Sequence, residues 1–113
     1  MTVTILDSLP MQDIAQFCRR WLIRELSLFG SALRDDFKPE SDVDVLVTFS
    51  EDSEWGLFDH VRMQQELQTL LDRKVDLISR RALLHTRNQL LREEILKTAK
   101  TIFSQGEETY AER

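Results

Sequence analysis

From Asp42 to Phe49 the chain alternates without interruption: Val43, Val45, Val47 and Phe49 occupy one parity, and Asp42, Asp44, Leu46 and Thr48 the other. Successive side chains of a strand point to opposite faces, so this pattern predicts a β-strand with an apolar face pressed on a core. The other face opens with two carboxylates, Asp42 and Asp44, whose α-carbons are expected roughly 6.5–7 Å apart. Like charges crowded in this way repel one another unless hydrogen bonds or a cation neutralise them. A hard cation such as Mg²⁺ takes oxygen ligands of this kind.

The rest of the chain supplies what such a strand needs around it. At 113 residues, 42% of them hydrophobic, the length suits one domain with one small core. We expect that domain over residues 1–103, with 104–113 as a polar tail. Ile14, Ala15, Phe17, Cys18, Trp21 and Leu22 share one helical face, and the helix is expected to end near Arg24. Leu26 to Phe29 reads as a short strand closed by Gly30, with a helical turn over Ser31 to Arg34. A loop then leads to Asp42. Leu57 to Leu71 suggests a second helix whose apolar stripe is weakened by Gln64 and Gln65. Lys74 to Ile78 is a third strand, with Asp76 on the face opposite Val75 and Leu77. Ser79 is placed to cap a helical segment that continues through Leu84, Leu91, Ile95 and Ala99, and Ile102–Phe103 forms a short last strand. This order predicts an α/β (α+β) domain with a small mixed sheet flanked by helices.

Charge narrows the function. Fifteen Lys and Arg against 20 Asp and Glu leave a net charge of −5, which argues against a protein that coats duplex nucleic acid. The distribution is uneven: residues 31–54 carry eight acids against Arg34 and Lys38, while residues 73–100 carry eight bases against Asp76, Glu93 and Glu94. The pattern suggests a cation site beside a surface that attracts phosphates or an acidic partner. The single cysteine, Cys18, has no partner for an internal disulfide and lies among apolar residues, as expected of core packing. No apolar run approaches the roughly 20 residues of a membrane span, and the start of the chain lacks a signal-peptide pattern, so the cytoplasm is the expected compartment.

Three carboxylates, Asp42, Asp44 and Asp76, can share one face if the third strand neighbours the second, which makes a two-metal site conceivable. Gly30 and Ser31 stand at a strand-to-helix turn, where backbone N–H groups and a hydroxyl can hold a phosphate. With only Gly30, Gly56 and Gly106 in the chain, a Walker loop and a dinucleotide fingerprint are both excluded. An EF-hand loop fails because Val45 and Leu46 stand where polar ligands and a glycine are required.

The decisive combination is Gly30-Ser31, ten residues, then Asp42-Val-Asp44 opening the alternating strand. It resembles the nucleotidyltransferase superfamily that includes DNA polymerase beta, whose shared signature is Gly-Ser, a short spacer and Asp-x-Asp. The segment LFGSALRDDFKPESDVDVLVTF looks like the minimal nucleotidyltransferases, and the likeness spans about residues 10–103. One departure is that Asp35 and Asp36 stand where much of the superfamily has a glycine after the Gly-Ser helix.

The resemblance implies a nucleotidyltransferase fold that binds ATP with its triphosphate near Gly30 and Ser31. It implies Mg²⁺ held by Asp42 and Asp44, with Asp76 either completing a second metal position or taking the acceptor proton. Many minimal members resemble antitoxins that silence a HEPN-domain toxin, an RNase, by transferring AMP to one of its tyrosines, so a hetero-oligomer with such a toxin is expected. Two other readings are a silent antitoxin subunit that masks its toxin by binding, and a small-molecule nucleotidyltransferase of the aminoglycoside-modifying kind. Tyr110, the only tyrosine, is expected to be an ordinary tail residue.

Overall fold

The computed structural model describes residues 9–30, 42–50 and 54–105. Ser31, the helical turn expected after it, Arg34, Lys38 and Tyr110 lie outside the described residues.

Helix α1 (Met11–Arg20) lays Ile14, Phe17 and Cys18 into the core, and β1 (Ile23–Phe29) follows almost at once. The expected helix end near Arg24 is four residues too late. Leu22 adopts a left-handed backbone, φ +56°, and this stops the helix. The Trp21 N–H still closes on the Phe17 carbonyl at 3.1 Å, and Ser50 N–H donates to the Leu22 carbonyl at 2.9 Å. Pairing of Ile23 with Phe49 and Glu25 with Thr48 then draws residues 23–25 into the sheet. The first strand is thus three residues longer than its apolar core suggests.

Strand β2 (Val43–Phe49) is the alternating segment, and it leads through Glu54–Gly56 into α2 (Leu57–Leu71). Strand β3 (Val75–Ser79), α3 (Arg80–Leu84), α4 (Gln89–Thr98) and β4 (Lys100–Ser104) complete the order. The single helical segment expected after Ser79 is in fact two helices. The Ser79 hydroxyl accepts from Ala82 N–H at 3.1 Å, as a cap should, but the first helix lasts five residues. Asn88 then caps a new one, accepting from Leu91 N–H at 3.0 Å.

The four strands lie in the order β3-β2-β1-β4, with β1 antiparallel to both β2 and β4, and β3 parallel to β2. The expected mixed sheet is therefore present. Val43, Val45 and Val47 turn to the face covered by α1 and α2, joining Phe17, Met63, Leu67, Val75 and Leu77 in the larger core. Leu46 turns the other way, to a smaller cluster with Leu83 and Ile95 backed by Phe29 and Ile78. Among the described residues no helix is long and apolar enough to cross a membrane.

Candidate functional site

Asp42 and Asp44 alternate with the core valines, so both project to the face of the smaller cluster, at the start of β2. Parallel pairing sets Val43 beside Val75 and Asp44 directly beside Asp76, with Val43 N–H bonded to the Lys74 carbonyl at 2.8 Å. Neighbouring strands lie about 4.8 Å apart, so the register alone makes these two carboxylates neighbours. Asp44 is half-buried, while Asp42 and Asp76 are exposed.

Gly30 sits against this pair. Antiparallel pairing sets Phe29 beside Asp44, and Gly30 follows with φ +71°, a conformation that side chains rarely adopt. A β-carbon there would lie 2.5 Å from Asp44 Oδ2. The glycine is thus required twice over, by the backbone turn and by the room its missing side chain leaves for a carboxylate. The structure brings four of the five expected site residues, Gly30, Asp42, Asp44 and Asp76, to one corner of the sheet. The fifth, Ser31, lies outside the described residues.

What this corner offers a cation is oxygen chemistry. Asp42, Asp44 and Asp76 share a face at the starts of β2 and β3, and the absent side chain of Gly30 leaves Asp44 its space, so the donor set suits a hard divalent ion. Among the described residues no three Asp, Glu, His or Cys side chains already converge as a ligand cluster. The fold supplies register and proximity, and the final approach of the carboxylates is left to their side-chain torsions.

Sequence reasoning missed how β3 is held. It is the outer strand, so the N–H and C=O groups of Val75 and Leu77 face away from β2. Gln68 Oε1 accepts from Val75 N–H at 3.1 Å, Gln64 Oε1 accepts from Leu77 N–H at 3.1 Å, and His60 Nε2 meets the Leu77 carbonyl at 2.8 Å. These three side chains stand four residues apart on α2, one per turn, and replace the missing neighbour strand on both sides of Asp76. The available signal was the four-residue spacing of three hydrogen-bonding side chains, His60, Gln64 and Gln68, on a helix that also carries Asp59, Arg62, Gln65 and Glu66. In the sequence it reads only as weak amphipathicity.

Trp21, expected on the apolar face of the first helix, lies together with Trp55. Their rings pack edge-on at 5.0 Å between centroids, and Trp55 Nε1 donates to the Trp21 carbonyl at 2.6 Å. Trp21 is half-buried against the larger core and donates to Glu66, which also pairs with Arg20. His85 is exposed, its Nδ1 2.7 Å from the Arg81 carbonyl.

Comparison with known proteins supplies the family. The model of the nucleotidyltransferase domain family matches residues 12–104. The chain is 31% identical over 83 residues to the protein adenylyltransferase MntA of Thermococcus cleftensis, covering 74% of this chain and 82% of that one. A solved structure assigned as a minimal nucleotidyltransferase is 30% identical, with a TM-score of 0.64 over 86% of this chain and 94% of that one. Two structures of lower identity share the fold. A toxin-antitoxin crystal structure with AMP-PNP is 20% identical, TM-score 0.66, over 88% of this chain and 77% of that one. The complex of tri-AMPylated Shewanella oneidensis HEPN toxin with MNT antitoxin is 19% identical, TM-score 0.58, over 89% and 75%. The matched span contains Gly30 and all three carboxylates of the sheet corner, and the chain belongs to the nucleotidyltransferase domain family.

Proposed function

We propose that this protein transfers AMP from ATP to a tyrosine hydroxyl of a HEPN-type toxin and so acts as its antitoxin. The observation that carries the reading is the Asp44–Asp76 register with Gly30 folded against Asp44. The named relative MntA and the fold shared with the AMPylated HEPN complex support the choice of acceptor. Because the reaction consumes ATP and the partner is an RNase, we place it in the cytoplasm.

The acceptor oxygen attacks the α-phosphorus, the bond from that phosphorus to the bridging oxygen breaks, and pyrophosphate leaves with the bond's electron pair. Asp42, Asp44 and Asp76 are the residues that would hold Mg²⁺. When bound, that ion supplies positive charge to the entering and leaving oxygens. Asp76, on the edge strand, would either complete that ligand set or accept the tyrosine proton. Gly30 leaves the Asp44 carboxylate its room beside the turn, and the Ser31 hydroxyl would hold a phosphate oxygen. The Gln64 and Gln68 bonds hold the β3 backbone on either side of Asp76, so this carboxylate stands on a fixed strand.

The test is the intact mass of the toxin after co-expression with this chain or with its Asp42→Ala/Asp44→Ala form. Whole AMP units added by the unaltered chain, with transfer by the variant lowered about 100-fold or more, are expected; that loss is about 3 kcal/mol of barrier. Equal modification by both forms removes the carboxylates from the chemistry. Protection without added mass from either form replaces the enzyme with a masking subunit.

A further inference from the structure

The parallel strands β2 and β3 carry their carboxylates at one end; the other ends, Phe49 and Ser79, lie about 16 Å from Asp44 and about 10 Å from Asp76 along their strands. Between the first turns of α2 and the short α3, that end opens into a groove of about 850 Å³. Trp55, Leu57 and Leu84 line it, and Leu57 is 76% exposed. Phe58, 84% exposed, and Val61 continue the apolar strip along α2. One exposed leucine needs no explanation, but a strip of large apolar side chains beside a groove does.

The opposite wall is cationic. Arg80, Arg81 and His85 stand on it, and among the described residues neither guanidinium has an ion-pair partner. Glu54 is the one carboxylate among the described lining residues. On a chain of net charge −5 this is a local reversal of sign, set beside exposed apolar surface. Apolar anchors flanked by guanidiniums match one kind of ligand well.

We infer that this groove docks an acidic amphipathic segment of a partner protein. Apolar side chains spaced three or four residues apart on that segment seat between Leu57 and Leu84, and its carboxylates meet Arg80 and Arg81. Single-stranded RNA is disfavoured because Trp55 is already packed edge-on against Trp21 and bonded to its carbonyl, and the other apolar anchors of the groove, Leu57 and Leu84, are aliphatic. A symmetric dimer through the same patch brings its own guanidiniums together. The groove and the carboxylates lie at opposite ends of the same strands, so this inference stands apart from AMP transfer, and a docked segment leaves the carboxylates accessible.

A display library of randomised helical peptides, selected against the full chain, tests it. The unaltered chain is expected to enrich peptides with Leu or Phe three or four residues apart and Asp or Glu beside them. Arg80→Glu/Arg81→Glu should bind those peptides at least about tenfold more weakly and enrich Lys- and Arg-bearing ones instead. Leu57→Ser/Phe58→Ser, both at exposed positions, should also weaken binding at least about tenfold. Trp55 emission follows each titration. The inference is overturned by absent enrichment, by enrichment without acidic bias, or by a selection that the arginine reversal leaves unchanged. It is equally overturned if an RNA oligomer binds in the peptide's place and tolerates Leu57→Ser/Phe58→Ser, or if the chain dimerises through the patch.

Discussion

On one face of the sheet α1 and α2 close over fourteen buried side chains, Phe17, Met63 and Leu67 among them; on the other, α3 and α4 close over a cluster whose buried members are Leu46, Leu83 and Ile95. The thin face is the one that carries Asp42, Asp44 and Asp76. A carboxylate sunk into the thick face would lose its water and its charge, because burial disfavours the ionised form. On the thin face Asp42 and Asp76 stand exposed, where phosphates can reach them. The domain thus separates what holds it together from what it does, and substitutions on the two faces should fail in different ways.

The largest effect on stability is expected from the thick face. Phe17 is wholly buried on α1, and Phe17→Ala should cost about 3–5 kcal/mol, read as a lower midpoint in urea unfolding. Leu83 is as fully buried but belongs to the small cluster, where α3 can settle into the space, so Leu83→Ala should cost nearer about 2 kcal/mol. Equal losses would break the contrast between the faces.

A smaller effect appears at alkaline pH. Burial among the thick-face side chains pushes the Cys18 thiol from its ordinary 9.0 up to about 12, against a small opposing pull from Arg19. Below about pH 9 the thiol is protonated in the folded and unfolded chain alike, and its titration leaves stability unchanged. Between about pH 9 and 12 only the unfolded chain releases the proton, so stability falls as pH rises, by up to roughly 1.4 kcal/mol per pH unit. Cys18→Ala should remove that part of the alkaline slope, and iodoacetamide should label Cys18 only after unfolding. A thiol labelled at native rates without unfolding would show the thick face to be looser than its burial implies.

The legibility of the sequence follows the same division. Alternation from Asp42 to Phe49 exposed β2 and both its faces, because a period of two admits one conformation. Asp76 was found by the same logic on β3, although its place beside Asp44 depends on a strand pairing that local pattern does not encode. The end of α1 was missed because Leu22 holds a left-handed backbone that its side chain does not advertise. The break between α3 and α4 lies in a run whose apolar spacing carries straight through it, and only the Asn88 cap marks it. His60, Gln64 and Gln68 were illegible for a further reason. Their partners are backbone groups of another element, and nothing in α2 itself states that β3 lacks a neighbour on that side.

The smallest expected effect is a gain. Asp72 ends α2 in a left-handed conformation, φ +54°, its N–H closing on the Gln68 carbonyl, and it is exposed. A β-carbon is unfavourable in that region of backbone space, and glycine carries none. Asp72→Gly should therefore stabilise the chain by about 0.5–1 kcal/mol, a rise in Tm of a few degrees in a thermal melt. The substitution acts where the α2 layer hands over to β3, four residues before Asp76, yet it leaves the strand register and the Gln64 and Gln68 bonds in place. AMP transfer should be unchanged while the melting temperature rises. If transfer falls as the helix end is relaxed, the placement of Asp76 depends on strain at that turn, and the two faces of the sheet are coupled through α2.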